Sequence, residues 1–315
     1  MSFSFNLKLF SKNRAGLMGL ATILILMTHA PAYGVFLPFG LNSLLSAGQI
    51  GVLVFFFISG VGLYFSLDSK RDLPIFEIIS WYKKRFVRLL VPYLIIFGGA
   101  HIIVCVENQW NIFRYLFDLS TISFWFGHST CWFVDVLVPL YIISPFWYKL
   151  LSRFKYNIIP TIIAASLLIA TENGYMIQAS VFFVGFWLAR YIKDEYVIHS
   201  KELLTIIALV CIALALYYIL GIGYLLLILL PPFLLVCCYM LDTVKNTLIH
   251  PILNFFGEIS LESYLFNTTL IIWIQFFGLL PDYMYNYRYV YIVVFGTLLS
   301  YLVHRLCKPL IAKLS

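Results

Sequence analysis

A few ionisable side chains stand against long apolar runs, and those are the candidates for chemistry. His29 closes an apolar stretch that begins near Leu17. A histidine in such a run is a candidate for a functional role. At about 100° per residue, Met18 lies about 20° from His29 around a helix and Arg14 about 60° away. Arg14 and His29 therefore share one broad face. An interfacial histidine at a helix end beside Pro31 is the competing reading. Arg85 and Arg88, at i and i+3, also share a face, with Lys83 and Lys84 beside them and Pro92 placed to kink the helix. Two guanidiniums so arranged suit a multiply charged phosphate ligand; an ordinary basic helix flank is the plainer alternative. His101 and Asp135 are single polar groups in apolar surroundings with no visible partner. Glu258 and Glu262 stand at i and i+4 near a helix start, where acids complement the helix dipole and Ser260 could serve as a cap.

The elements that must carry these groups follow from composition. Of 315 residues, 62% are hydrophobic, 18% aromatic and 11% charged, and the mean hydropathy is +0.94. Soluble domains hold about 25% charged residues, so this chain has too few to cover a water-facing surface. Disorder is excluded for the same reason. The apolar excess must face lipid. A membrane-spanning helix needs about 20 mainly apolar residues, and ten candidates stand out: about 15–30, 50–67, 88–106, 131–150, 157–170, 176–192, 203–220, 223–241, 259–277 and 289–306. They are continuous runs rather than alternating ones, which favours helices over a barrel. The expected fold class is all-α: a polytopic membrane protein of about ten transmembrane helices. The short 157–170 run and the tight break after Leu220 are the weak points of that count.

Charge sets the orientation, because Lys and Arg gather on the cytoplasmic side. With the N-terminus inside, 19 of the 21 basic residues fall on inner segments and flanks, Arg71 and Lys155 among them, and only Arg114 and Arg288 on outer connections. Both termini are then expected in the cytoplasm. The net charge of +7 reflects this topology and attraction to anionic membrane lipids; it needs no nucleic-acid partner. Lys8, Lys12, Arg14 and Ala30-Pro31-Ala32 have the outline of a signal peptide. The spans that follow need no cleavable signal, and Pro31 sits inside the cleavage motif, so the segment is read as the first span. The six cysteines show neither metal nor redox spacing, and no metal is expected.

Five stretches, in order, resemble the membrane acyltransferase family 3, the polytopic O-acyltransferases of bacterial glycans. Leu17-Met18-Gly19-Leu20-Ala21 leads to His29 as in the family's Leu-Arg-Gly-Ile-Ala run. The stretch from Gly48 through Gly51 and Phe55-Phe56 to Ser59-Gly60 is similar to its G-x-x-G-V…F-F-x-x-S-G segment. Tyr82, Arg85, Arg88, Pro92 and Tyr93 sit in a stretch similar to its Y-x-x-R-x-x-R-x-x-P-x-Y signature. Trp132-Phe133 with Tyr141 and Pro145 resembles its W-F-L…Y…P segment, and Gly257 to Leu265 its G-x-x-S-L-E-x-Y-L segment. Two positions depart from the pattern. The family's helix-1 arginine is Met18 here, with Arg14 one turn earlier as the candidate replacement. The histidine that often follows the last segment is Asn267.

The resemblance implies a single transmembrane acyltransferase domain over residues 1–315, without the appended extracytoplasmic domain that some relatives carry. It implies transfer of an acyl group, most often acetyl, from cytosolic acetyl-CoA to a hydroxyl of a glycan outside a bacterial cytoplasmic membrane. In that scheme His29 is the catalytic base or acyl carrier and Arg14 orients groups. Arg85, Arg88 and Lys84 hold CoA phosphates, and Gly48, Gly51 and Ser59 lie where the chain approaches the pantetheine arm or helix 1. Trp132, His128, Asp135 and Glu262 are candidates to meet the acceptor. Tyr82 is a further candidate. Partners left open are a second copy of the chain or separate glycan-assembly proteins. Two readings compete with the enzyme: a transporter or flippase for a glycan intermediate, and an inactive relative acting in assembly. Transporters usually show repeated halves, and no repeat is visible.

Overall fold

The computed structural model describes residues 4–37, 42–70, 74–128, 131–154, 156–221, 223–278 and 287–314. Arg71 and Lys155 lie outside the described residues. Seven of the ten expected spans coincide with helices long and apolar enough to cross a membrane: Arg14–Tyr33, Ala47–Asp68, Phe76–Glu107, Trp132–Phe154, Gly174–Lys193, Ser200–Leu220 and Arg288–Leu314. The other three are also helices but shorter, at Ile159–Ile169, Leu230–Thr243 and Ser260–Phe276. In Ser200–Leu220 only 6% of the most apolar stretch is buried. An apolar helix with so little of it covered needs lipid around it. The protein is an all-α polytopic membrane protein.

The chain divides into two compact units. The first holds Met1–Ala21, Ile50–Arg71 and Phe146–Glu258. Its centre is the Ile50–Asp68 helix against Val181–Lys193. A Cβ on Gly60 would stand 2.2 Å from the Phe182 carbonyl oxygen, and one on Gly185 would stand 2.1 Å from that of Phe57. Each helix thus presents a glycine to the other's backbone, and Phe56, Phe182 and Phe186 fill the space around the crossing with no exposed surface. Gly19 and Gly257 repeat this device. Their Cβ atoms would fall 1.8 Å from the Leu253 oxygen and 2.0 Å from the Ala15 oxygen. These two glycines belong to the first and last of the five motif stretches, so part of the motif is explained by backbone packing. A small antiparallel pair, Ser4–Asn6 with Val197–His199, anchors the N-terminus. Lys8–Glu195 and Lys12–Asp242 ion pairs reinforce it.

The second unit holds Thr22–Gln49, Asp72–Pro145 and Ile259–Ser315. Here the Ser260–Phe276 helix packs along Arg288–Leu314 and against a long column built from Ile75–Tyr93 and Gly99–Glu107. The two parts of that column are joined by a π-helical turn, Leu94–Gly98, just after Pro92. Proline has no N–H for the ladder, and a wider turn re-registers the hydrogen bonds around it. Trp81, Tyr93 and Leu265 are fully buried in this unit.

Candidate active site

His29 is the last residue of the Arg14–His29 helix. The helix tightens into a 3-10 turn over Ala30–Tyr33 because Pro31 cannot continue the ladder, and Gly34 closes the turn in the left-handed conformation at φ 82°. The half-buried ring places Nδ1 2.8 Å from the Ile25 carbonyl oxygen and 2.8 Å from the side-chain amide of Asn267. A carbonyl oxygen only accepts, so the contact with Ile25 puts a hydrogen on Nδ1 and leaves the lone pair on Nε2. Aromatic hydroxyls brace this helix end. Tyr289 donates to the Leu26 carbonyl, Tyr33 stacks on Tyr289, and the Tyr33 hydroxyl reaches the Asn267 backbone oxygen at 3.4 Å. Gly48 lies against the same helix: its Cβ would stand 2.1 Å from the Leu24 oxygen. Nearby, Thr28 donates to the Leu45 carbonyl at 2.9 Å. Gly48 thus lies in close backbone contact with the Arg14–His29 helix.

Arg85, Arg88 and Lys84 sit on the Ile75–Tyr93 helix. Arg85 is half-buried with its guanidinium 5.9 Å from the centre of the Trp81 ring, while Arg88 and Lys84 are exposed. The helix is held beside Trp132–Phe154 by Tyr82, whose hydroxyl donates to the Ile142 carbonyl at 2.5 Å and whose ring stacks on Phe86. Tyr82 therefore positions the arginine helix. Three cations on adjoining turns, one of them fixed by an aromatic face, are a donor set that fits phosphate.

His128 and His101 belong to one polar cluster. Arg114 spans it: Nε meets the Asp118 carboxylate at 3.0 Å and Nη2 meets His128 Nδ1 at 3.0 Å. Asp118 also meets His101 Nε2 at 3.1 Å, so the histidine that lacked a partner in the sequence has one. The Ile112–Leu119 helix that carries Arg114 and Asp118 has eight residues, too few to cross a membrane. Trp132 is half-buried at the start of Trp132–Phe154. Asp135 lies in the first turn of that helix. It is fully buried and faces the Cys131 backbone N–H, but neither carboxyl oxygen makes a well-aligned hydrogen bond among the described residues. Glu262 is buried with Oε1 3.1 Å from His304 Nδ1. The i and i+4 spacing of Glu258 and Glu262 does not put them at one helix start: Glu258 ends the Ile249–Glu258 helix and Glu262 lies in the first turn of Ser260–Phe276.

A family model described as an acyltransferase domain matches residues 16–305, nearly the whole chain. The chain belongs to the acyltransferase 3 family. No curated protein and no solved structure matches it. As a member of this family it is a membrane acyltransferase. The match runs through both compact units and includes His29, Arg85 and Arg88; Arg14 lies just before it.

Three of the candidate residues of this acyltransferase lie in the first unit. Gly51 is buried and Ser59 half-buried in the Ile50–Asp68 helix. Arg14 is exposed, its guanidinium 3.2 Å from where a Gly62 Cβ would stand. The same unit contains a buried cation that sequence reasoning passed over as a flanking charge. Arg190 is 7% exposed, with its guanidinium 5.9 Å from the centre of the Tyr64 ring. Close along the chain, Lys193 pairs with Asp68 at 2.7 Å and Tyr148 donates to Asp68 at 3.1 Å. The periodicity of Val181–Lys193 was the available signal, since position 190 falls on the same face as Phe183 and Phe186. Asn267, opposite His29, was singled out in the sequence only as a departure from the family pattern.

Proposed function

We propose that the protein is an O-acetyltransferase of a bacterial cytoplasmic membrane, with both termini in the cytosol. It moves an acetyl group from cytosolic acetyl-CoA to a hydroxyl of a cell-surface glycan or its precursor. The observation that carries the reading is the His29 ring, tethered through Nδ1 to the Ile25 carbonyl with Nε2 left as a base. In the step this supports, Nε2 takes the proton of the acceptor hydroxyl as that oxygen bonds to the acetyl carbon. The carbon–sulfur bond breaks, and the departing CoA thiolate recovers the proton from the imidazolium. Atoms and charge balance without a further reactant. Arg85, Arg88 and Lys84 hold the donor's phosphates, and Trp132, His128, Asp135 and Glu262 serve the acceptor side. The basic residues on expected inner segments support the orientation.

The test is purified protein in lipid vesicles with labelled acetyl-CoA and a glycan acceptor. Label appearing on the acceptor as an ester supports the enzyme. Passage of the glycan across the bilayer without ester formation would replace the proposal with a transporter. Neither outcome would leave an assembly partner as the reading.

A further inference from the structure

We propose that Asn267 is a positioning residue that fixes the plane of the His29 ring and with it the direction of the reactive Nε2 lone pair; the proposal deepens, and rests on, the reading of His29 as the base. Asn267 is 2% exposed on the Ser260–Phe276 helix, and its side-chain amide lies 2.8 Å from His29 Nδ1. The Ile25 oxygen lies 2.8 Å from the same atom. An oxygen lone pair and a nitrogen lone pair repel at that distance, so Nδ1 carries the hydrogen. A nitrogen that carries a hydrogen in the ring plane cannot accept one from an amide N–H. The structure places Asn267 Nδ2 against Nδ1; with Nδ1–H fixed by Ile25, the amide is assigned the other way round, its carbonyl oxygen toward the ring, on the ground of its partners.

Nδ1–H is thus shared between two acceptors of different origin. Ile25 is in the same helix as His29 and moves with it. Asn267 comes from another helix, 238 residues further along the chain, and its backbone is tied to the His29 end of the first helix through Tyr33. One acceptor in the same helix allows the ring to swing about its own side-chain bonds. A second acceptor from outside fixes the ring plane, and with it the direction in which the Nε2 lone pair points. The tautomer of a histidine is set by the hydrogen bond its other nitrogen makes; here Ile25 sets it, and Asn267 sets where the ring points.

The experiment uses the full chain in detergent micelles with 15N-labelled histidine. The His29 signals among the six histidines are assigned by their loss in His29→Gln. The wild type should show His29 protonated at Nδ1. Asn267→Leu, which keeps the volume but removes the acceptor, should leave Nδ1 protonated on Ile25 while its ring signals shift and broaden as the ring plane is released. It should lower kcat about 10- to 100-fold, the range for losing a partner that orients a reactive imidazole, with KM for acetyl-CoA unchanged. Asn267→Asp, which still accepts, should keep the Nδ1–H form and retain most of the activity. A wild-type His29 protonated at Nε2, or an Asn267→Leu spectrum identical to wild type, would overturn the role of Asn267. Full acetyl transfer by His29→Gln would instead overturn the base reading, and the proposal with it, through a different readout.

Discussion

The buried His101 ring and the buried Asp118 carboxylate meet at 3.1 Å and are the inner half of a chain that Arg114 extends to His128. His101 lies between the rings of Phe97 and Tyr115, which leave it little room to turn. Removing the carboxylate would strand an imidazole in an apolar setting and leave Arg114, among the described residues, with His128 and the face of Trp110. Breaking a buried pair by deleting one partner costs about 3–5 kcal/mol. Asp118→Ala should therefore lower the melting temperature in detergent sharply. His101→Phe, which keeps the stacking and leaves Asp118 on Arg114, should cost much less. Equal losses in the two variants would show that ring packing, not the ion pair, holds this cluster.

A second prediction concerns the crossing of Gly19 and Gly257. The atoms that a new Cβ would meet are backbone oxygens at 1.8 and 2.0 Å, and backbone cannot swing aside as a flexible side chain can. Overpacking costs about 1–3 kcal/mol and sometimes more, and at these distances the upper end or beyond is expected. Gly19→Ala and Gly257→Ala should each reduce the monodisperse fraction recovered on size exclusion from membranes. Gly174→Ala is the control, since nothing lies within 4 Å of its Cβ position. A normal profile for Gly257→Ala would mean that the two helices can separate at no cost.

How legible these relationships are in the sequence depends on range. The long helices can be read because each needs an apolar run of about 20 residues, which few other structures require. The Ile249–Glu258 helix cannot, because it is short and carries His250, Pro251 and Asn254; it packs through Gly257 against the backbone at Ala15, far away in the chain. Arg85 and Arg88 can be paired by eye because three residues make one turn. Asp118 and His101 are separated by 17 residues and a change of direction, so no periodicity joins them. Asn267 and His29 are joined only by the fold. Arg190 carries the sign and position of an ordinary flank charge, and only its place on the Phe183 and Phe186 face of its helix hints at its burial.

The proposed donor site makes a third prediction. Hydrogen bonds to charged groups contribute about 1.5–3 kcal/mol, so removing one phosphate contact should raise KM for acetyl-CoA about 10- to 100-fold. Arg88→Ala, at an exposed position, should do this with kcat and folding near wild type. Arg85→Ala should also lose its contact with Trp81. Arg85→Lys keeps the charge but presents no planar fork, and it should recover only part of the affinity. Initial rates across donor concentrations decide the matter. Unchanged donor KM in Arg85→Ala and Arg88→Ala together would remove the phosphate role from this helix.

His29→Ala should abolish ester formation on the glycan while membrane expression remains at wild-type level. The side chain is half-buried at a helix end, and its loss leaves the Tyr289–Leu26 and Thr28–Leu45 contacts in place. Folding should therefore survive. Labelled acetyl-CoA consumption, scored against the amount of folded protein, is the measurement. Activity within a factor of about three of wild type, well under the 10²–10⁴-fold contribution of a positioned general base, would eliminate His29 as the reacting group.

Asp135 separates a structural role from a functional one. Its place in the first turn of the Trp132–Phe154 helix, facing the Cys131 N–H, is where a carboxylate serves open backbone donors. An amide of the same shape keeps an acceptor oxygen there. Asp135→Asn should thus hold the melting temperature within the shift that about 1 kcal/mol produces. Asp135→Leu, which offers no acceptor, should lose more. Activity is the second axis. If the carboxyl only caps the helix, Asp135→Asn transfers acetyl at the wild-type rate. The proposed acceptor role requires instead that KM for the glycan rise in Asp135→Asn while KM for acetyl-CoA and the melting temperature stay put. A stable variant with unchanged kinetics for both substrates would confine Asp135 to the helix start.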